Sequence, residues 1–414
     1  MSTFPRLPLL DELQSDHISP QEVGTTALVC VQHLTESTGS LIERFIEIGF
    51  MPTQIHILGK IYSSKPLVQE RLRSLGVNVY RSSNNFEWGL YSCRLAKDID
   101  LMWQAAISTG SLNSVKRVIV LDDGGAAIAA VPVDLLRSKV VIGVEQTMSG
   151  IVLNRNERPL IPFIGIGASA AKLLIEPMII RESLLRQAVE RSVHVSGPAG
   201  VVGVGYIGSA ITEELQRTGV EVYTYDNRPR RKAIIGARPC ESLNDLYSAA
   251  KTIWGCTGTN HLADFKWTEC IRMEKTLISC SSRDSEFNSA LRELNSKPQF
   301  DKVCRLSDVI VEADSSAPVT VLYGGFPINF SGVFEAELAK DIQVTRALLF
   351  SGVLQALKGK ADAQSGSEIP LDAQRQAQIV SHWLDMYPER RSWYQDDIIN
   401  IFTDESLIER HQKG

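Results

Sequence analysis

Val201-Val-Gly-Val-Gly-Tyr-Ile-Gly-Ser-Ala-Ile-Thr-Glu-Glu-Leu215 is the stretch whose reading decides the fold. Apolar residues lead into Gly203, Gly205 and Gly208, spaced as G-x-G-x-x-G, and the glycines open a helical pattern that runs to Thr218 and is capped by Gly219. The first glycine permits a tight turn. The second lets backbone approach a pyrophosphate, and the third lets helix and strand pack closely. Tyr206 and Ile207 open the helix, where free N–H groups and the dipole favour phosphate. A strand over 220–225 then ends at Asp226, 23 residues after Gly203. A carboxylate at that point accepts from a ribose 2′-hydroxyl and repels a 2′-phosphate.

This context predicts a Rossmann-type dinucleotide unit that takes NAD in preference to NADP, although Arg228 and Arg230 in the next loop are of the type that receives a 2′-phosphate. Two later strand ends fall in the same domain. One carries Thr257 and Gly258, the other Ser279, Ser281 and Ser282. Their small polar groups suit nicotinamide or ribose, and suit helix capping equally well.

Upstream, short apolar runs at 26–32, 55–59, 77–80, 115–121 and 140–144 alternate with helical patterns at 35–48, 66–75 and 102–109. Such alternation predicts an α/β domain with a largely parallel sheet. Ligands of these sheets bind outside the carboxyl ends of strands. Three polar clusters take such positions: 33–38, 61–64 and 122–125. Asp123 reads either as a binding group or as a turn residue beside Gly124 and Gly125. Residues 1–25 read as an extended lead and 171–191 as one long helix. The breaker cluster 196–200 reads as a hinge, 337–358 and 371–387 as helices, and 359–370 as a loop. The last 20 residues carry no readable role.

The chain has 414 residues, enough for two domains. Its formal charge of -5 disfavours nucleic acid, and the basic run Arg228, Arg230, Arg231 and Lys232 reads as a cofactor or solvent contact. Seven cysteines without C-x-x-C argue against a disulfide scaffold and offer no metal site. Cys30, Cys256, Cys280 and Cys304 read as small buried hydrophobes. With no signal pattern and no 18-residue apolar run, the expected setting is the cytoplasm without membrane attachment, and the expected partner is a small molecule.

Several segments together resemble the S-adenosylhomocysteine hydrolase (adenosylhomocysteinase) family. Gln32-His-Leu-Thr-Glu-Ser-Thr38 is similar to its H-M-T-x-x-T, and Ile119-Val-Leu-Asp-Asp-Gly-Gly125 to its I-L-D-D-G-G. Glu145-Gln-Thr-Met-Ser-Gly150 resembles E-E-T-T-x-G, and Arg181-Glu-Ser-Leu184 is identical to R-E-S-L. The Gly203 motif, Asp226, Pro229, Thr257–Gly258 and Gly325-Phe-Pro327 follow in the family's order, so the matches run from about residue 30 to 335.

The resemblance implies two Rossmann-like three-layer α/β domains: a substrate domain from 1–192 and 346–414, and an NAD domain over 193–345 inserted between its parts. It also implies a homo-oligomer, dimer or tetramer. The implied chemistry is transient oxidation of a nucleoside hydroxyl by NAD. His33 and Asp123 would stand at the catalytic positions and Thr35 at the ribose side, with Thr38, Gln146 and Lys172 as further substrate-side candidates. His33 reads otherwise as a histidine packing against the helix that follows it.

The departures bear on that activity. The family's adenine-reading glutamate is Ser37, with Glu36 one place off, and its second E-E-T acid is Gln146. Its lysine and aspartate before R-E-S-L are Ala171 and Ile175, its cysteine there is Ile180, and its G-H-P histidine is Phe326. No lysine–tyrosine tail closes the chain. Three readings stand. One is an NAD-dependent enzyme acting on a hydroxyl of a nucleoside-like or sugar substrate. The others are an altered adenosylhomocysteine hydrolase and a non-catalytic NAD-binding homologue. A 2-hydroxyacid dehydrogenase would need arginine, glutamate and histidine in order after the nucleotide unit, and Asn260-His261, Glu269 and Arg272 do not give that order.

Overall fold

The computed structural model describes residues 4–13, 19–193, 197–228, 234–266, 271–312, 317–332, 335–359 and 366–413. Two compact units result. The first comprises Met1–Ser83, Leu95–Glu176 and Leu338–Gly414; the second comprises Asn84–Arg94 and Pro177–Glu337. Ser196, Pro229, Arg230, Arg231, Lys232, Glu269 and Cys270 lie outside the described residues.

The first unit is built on β1 (Thr26–Gln32), β2 (Ile55–Gly59), β3 (Asn78–Tyr80), β4 (Arg117–Asp122), β5 (Val140–Glu145) and β6 (Phe163–Gly165), joined by a late strand, Glu368–Pro370 (β14). The order is β14-β6-β5-β4-β1-β2-β3, every pairing parallel. Every residue of β1 is buried, which requires cover on both faces and explains its unbroken apolar run. Helix Ala339–Lys358, buried around most of its circumference, packs on β4, β5 and helix Glu36–Glu47.

The lead is not extended. It forms helices Pro8–Glu12 and Pro20–Gly24, the first burying Leu9 and Leu10, the second started by a reciprocal Ser19–Glu22 capping box. The helix expected at 102–109 begins at Tyr91. The 171–191 helix is two, Ala170–Leu174 and Glu176–Glu190, since Pro177 has no N–H to continue the earlier turn. The 359–370 segment is not all loop, because β14 pairs with β6. Helices Asp396–Ile401 and Glu405–Lys413 occupy the unassigned tail.

The second unit carries β7 (Ala199–Val202), β8 (Val222–Tyr225), β9 (Arg238–Pro239), β10 (Thr252–Gly255), β11 (Lys275–Ser279), β12 (Val309–Val311) and β13 (Val319–Val321), in the order β12-β13-β11-β10-β7-β8-β9. Only the β12–β13 pairing is antiparallel. In both sheets the first strand is central, the next two extend to one side and the fourth and fifth to the other. This is the doubly wound order with its switch point beside the first strand. Both units are therefore Rossmann-like α/β.

The boundaries expected at 193 and 345 differ from those at 177 and 337. The residues before 193 bind into the second unit: Ser183 Oγ and the Arg186 guanidinium both donate to the Ala336 carbonyl, at 2.6 and 2.5 Å. Residues 84–94 also interrupt the span expected to be continuous. Trp88 lies under the Arg305 guanidinium at 4.4 Å, and Asn295 bonds both its backbone N–H (2.8 Å) and its carbonyl (3.1 Å). Cys304, expected in a core, is exposed in a turn, and Cys256 is half-buried. Among the described residues no helix is long and apolar enough to cross a membrane.

Candidate functional site

In the first unit β2, β1 and β4 are neighbours and parallel, so their carboxyl ends bring the three polar clusters side by side at the switch point. His33 follows β1, Lys60 follows β2 and Asp123 follows β4. Asp123 contacts both of the others. One carboxylate oxygen binds the Lys60 ammonium, and the other lies 3.2 Å from His33 Nε2. Lys60 is wholly buried. Burial pushes the Asp123 carboxyl up, but Lys60 and His33 hold it well below the usual carboxylate range. Burial lowers the His33 pKa; Asp123 opposes this, and Lys60 and Arg346 add to it.

The charge beside the ring sets the histidine tautomer. The ionised Asp123 lies 3.2 Å from Nε2 and favours the proton there, which leaves Nδ1 to accept from Ser63 Oγ at 2.6 Å. Ser63, His33 and Asp123 thus form a chain through which a proton reaching Ser63 Oγ passes to Nδ1, and Asp123 stabilises the imidazolium. Tyr62 meets the imidazole edge-on at 5.6 Å.

Thr38 Oγ1 donates to the His33 carbonyl at 2.6 Å, so this threonine positions the histidine backbone. Thr35 Oγ1 lies 3.2 Å from Ser37 Oγ and 3.3 Å from Thr38 Oγ1. The Arg346 guanidinium, buried in helix Ala339–Lys358, donates to Ser37 Oγ (3.2 Å) and Thr35 Oγ1 (3.3 Å). Arginine therefore stands against the serine found where the resemblance calls for an adenine-reading acid. Glu36 is turned away and held by Arg71 at 2.9 and 3.1 Å.

The two aspartates of the D-D-G-G turn divide the work. Asp122 Oδ2 accepts from Ala127 N (2.7 Å) and Ile128 N (2.9 Å), starting the next helix. Gly125 has φ 80°, and a Cβ there would lie 2.7 Å from the Gly150 carbonyl. The turn is thus made by Asp122 and the glycines, which leaves Asp123 for the site. Asp122 is in register with Glu145, whose Oε1 gathers Gly124 N (3.0 Å), Thr147 N (2.8 Å) and Thr147 Oγ1 (2.7 Å). Burial raises both acids, Asp122 to about 6. Gln146 is buried, and its Oε1 has no hydrogen-bond partner among the described residues.

Lys172 is not brought to Asp123. It pairs with Glu176 one helical turn on, and Glu176 also accepts from Thr345 Oγ1 at 2.7 Å. Ala171 and Ile175 are fully buried and apolar. Lys60 and Arg346 are the two residues that sequence reading missed. Lys60 lies one place before the 61–64 cluster, directly after an apolar strand, and Arg346 stands directly before the apolar run Ala347–Phe350 of its helix.

In the second unit, Gly203 has φ 91°, and a Cβ there would lie 2.8 Å from the Cys256 backbone. A Cβ on Gly208 would come 1.9 Å from the Gly203 carbonyl. Gly205 is the N-cap of helix Tyr206–Arg217, with Tyr206 exposed and Ile207 half-buried. Asp226 accepts from Val204 N (2.7 Å) and Arg228 N (2.8 Å), tying the end of β8 to the turn. A side-chain-free turn of this kind, with a carboxylate at the next strand end, fits a dinucleotide.

Thr257, Gly258 and Ser281 are drawn together, but by a buried acid. Thr257 Oγ1 (2.9 Å), Gly258 N (2.5 Å) and Ser281 Oγ all donate to Glu286, with His261 Nδ1 at 3.2 Å. Their polar hydrogens are thereby committed within the protein. At the Gly325-Phe-Pro327 segment, Phe326 is buried in an aromatic cluster with Tyr91 (5.2 Å) and Phe86 (6.1 Å).

No family model matches the chain. It is similar to two uncharacterized proteins of Mycobacterium tuberculosis, MT0113 and Rv0104, each 28% identical over 391 residues, covering 93% of this chain and 74% of the relative. Among solved structures, it is similar to the NADPH-dependent glyoxylate/hydroxypyruvate reductase of Sinorhizobium meliloti (13% identity, TM-score 0.37, 83% of this chain and 96% of that one). It is also similar to the D-lactate dehydrogenase of Escherichia coli (12% identity, TM-score 0.32, 62% of this chain and 74% of that one).

Proposed function

We propose that this chain is a divergent adenosylhomocysteinase-like protein that uses NAD to oxidise a hydroxyl of a nucleoside-like or sugar substrate. The observation that carries the reading is the Ser63–His33–Asp123 chain at the switch point, closed by Lys60. Alcohol oxidation needs a proton acceptor that is unprotonated at neutral pH, and His33, lowered by burial, is one. Gly203, Gly205, Gly208 and Asp226 would hold the dinucleotide, which when bound accepts hydride. Asp123 orients the imidazole and stabilises its charged form, and Lys60 keeps Asp123 ionised. Ser37 and Arg346 in place of an adenine-reading acid argue against ordinary S-adenosylhomocysteine as substrate. The proposed assembly is a homo-oligomer, dimer or tetramer.

The test is to purify the chain, release and identify any bound dinucleotide, and follow absorbance of the reduced cofactor while nucleosides and sugars are added. Reduction that responds to one substrate class and is lost in His33→Ala supports the proposal. A bound NAD whose redox state no nucleoside or sugar changes would sink it in favour of a second reading, an NAD-binding homologue without turnover. Ala171 and Ile175, buried and apolar where the resemblance calls for lysine and aspartate, favour that second reading.

A further inference from the structure

The floor under the glycine-rich turn holds two cysteines. β10 and β11 are parallel, with Gly255 opposite Ser279, so the next residues on each strand, Cys256 and Cys280, face one another. The ladder continues to this point, since Cys280 N donates to the Gly255 carbonyl at 2.9 Å. Adjacent strands lie about 4.7–4.9 Å apart, inside the roughly 4.4–6.8 Å Cα separation that a disulfide spans. Paired positions on parallel strands present their side chains to the same face of the sheet. That face is the one under the nucleotide turn. A Cβ on Gly208 would lie 3.3 Å from Cys256 Cβ, and one on Gly203 would lie 2.8 Å from the Cys256 backbone. Cys256 is half-buried and reachable, whereas Cys280 is buried.

We propose that Cys256 and Cys280 are a reversible modification site: a peroxide oxidises them to a disulfide, a thiol reductant restores them, and the oxidised form binds dinucleotide more weakly. In the first step the Cys256 sulfur attacks peroxide, which breaks the O–O bond and gives a sulfenic acid and one water. In the second the Cys280 sulfur displaces the sulfenic oxygen, the S–S bond forms and a second water leaves. The two thiols supply two electrons and two hydrogens, and the peroxide is reduced. Cys280, raised by burial, by Cys256 and by Glu286, is the slower partner and suits the resolving role. The link draws Cys256 toward β11 and away from the turn that rests on it. The weaker binding rests on the dinucleotide reading above; the disulfide does not.

The test uses the full chain. Peroxide treatment, alkylation and non-reducing peptide mass spectrometry should yield a Cys256–Cys280 cross-linked peptide that dithiothreitol removes and that is missing in Cys256→Ser and Cys280→Ala. NAD affinity, by calorimetry, should fall about tenfold on oxidation, return on reduction, and stay constant in Cys280→Ala. Oxidation confined to the exposed Cys93 and Cys304, with no cross-link, overturns the site. A cross-link with unchanged NAD affinity overturns the regulatory half. Failure of the reduced protein to bind NAD overturns the dinucleotide reading and with it that half, while the cross-link is judged by mass spectrometry alone.

Discussion

Replacing Lys60 by methionine tests the logic of the first unit's site most directly. The substitution keeps an unbranched stem of similar length and removes the ammonium. Lys60 is wholly buried and the Asp123 side chain is 1% exposed, so water cannot substitute for the lost partner. Removing one member of a buried ion pair leaves an uncompensated charge at a cost of about 3–5 kcal/mol. His33, at 3.2 Å, compensates part of this by taking a proton, which places the expected loss near the lower end, about 3 kcal/mol. Removing both charges costs much less, so Lys60→Met with Asp123→Asn should recover about 2 kcal/mol of the summed single losses. The acid limb gives a second readout. Asp123 has a depressed pKa, so its contribution is present above the ordinary carboxylate range and is lost as pH falls through the still lower folded value. That acid-side loss should disappear in Asp123→Asn. Native-state hydrogen exchange of peptides from β1 and β4, read in urea for the two single variants and the double, measures the cycle. Single losses that add within about 0.5 kcal/mol would refute the ion pair as the organiser of the site.

Gly208→Ala should cost about 1–3 kcal/mol in the second unit and weaken NAD binding at least about tenfold, because its Cβ would meet the Gly203 carbonyl at 1.9 Å; calorimetry of unfolding and of NAD binding checks both. Glu145→Gln should flatten the pH dependence of stability between roughly pH 4 and pH 6. Burial raises Asp122 to about 6, so the favourable protonated state is full below the ordinary carboxylate range and lost as pH rises through that value. The wild type should lose on the order of 2–3 kcal/mol over that window and the variant less, as thermal unfolding at several pH values would show; equal slopes would mean that the charge of Glu145 does not act on Asp122.

The dinucleotide turn was legible because its determinants are local. Gly203, Gly205 and Gly208 fall within six residues, and the strand and helix they join are set by the apolar residues on either side. Strands β1 and β4 were legible for the same reason: each is a short, largely apolar run rich in β-branched residues. What escaped depends on distant partners. β14 is three residues long and becomes a strand only because β6 offers an edge. Residues 84–94 join the second unit through Asn295 and Arg305, some 200 positions away, and nothing in their own composition records it. The span 171–191 carries an apolar periodicity that continues across Pro177, while the backbone divides there into two helices.

The candidate site divides along the same line. His33 and Asp123 each end an apolar strand, so a list of strand ends contains them. Their meeting requires β1 and β4 to be neighbours, which the alternation of strands and helices allows and does not dictate. Lys60 follows β2, and in this sheet β1 lies between β2 and β4. Two strand spacings are about 9–10 Å, so the Lys60–Asp123 pair must reach across the end of β1, directly by His33. A residue of that reach is required: serine or asparagine after β2 could not touch Asp123, and the histidine between them would then face the carboxylate alone. The lysine looks unremarkable in sequence because a charged residue after a strand is ordinarily solvated. Only the order β4-β1-β2, with cover on both faces, turns it into the buried cation that keeps Asp123 ionised and His33 neutral.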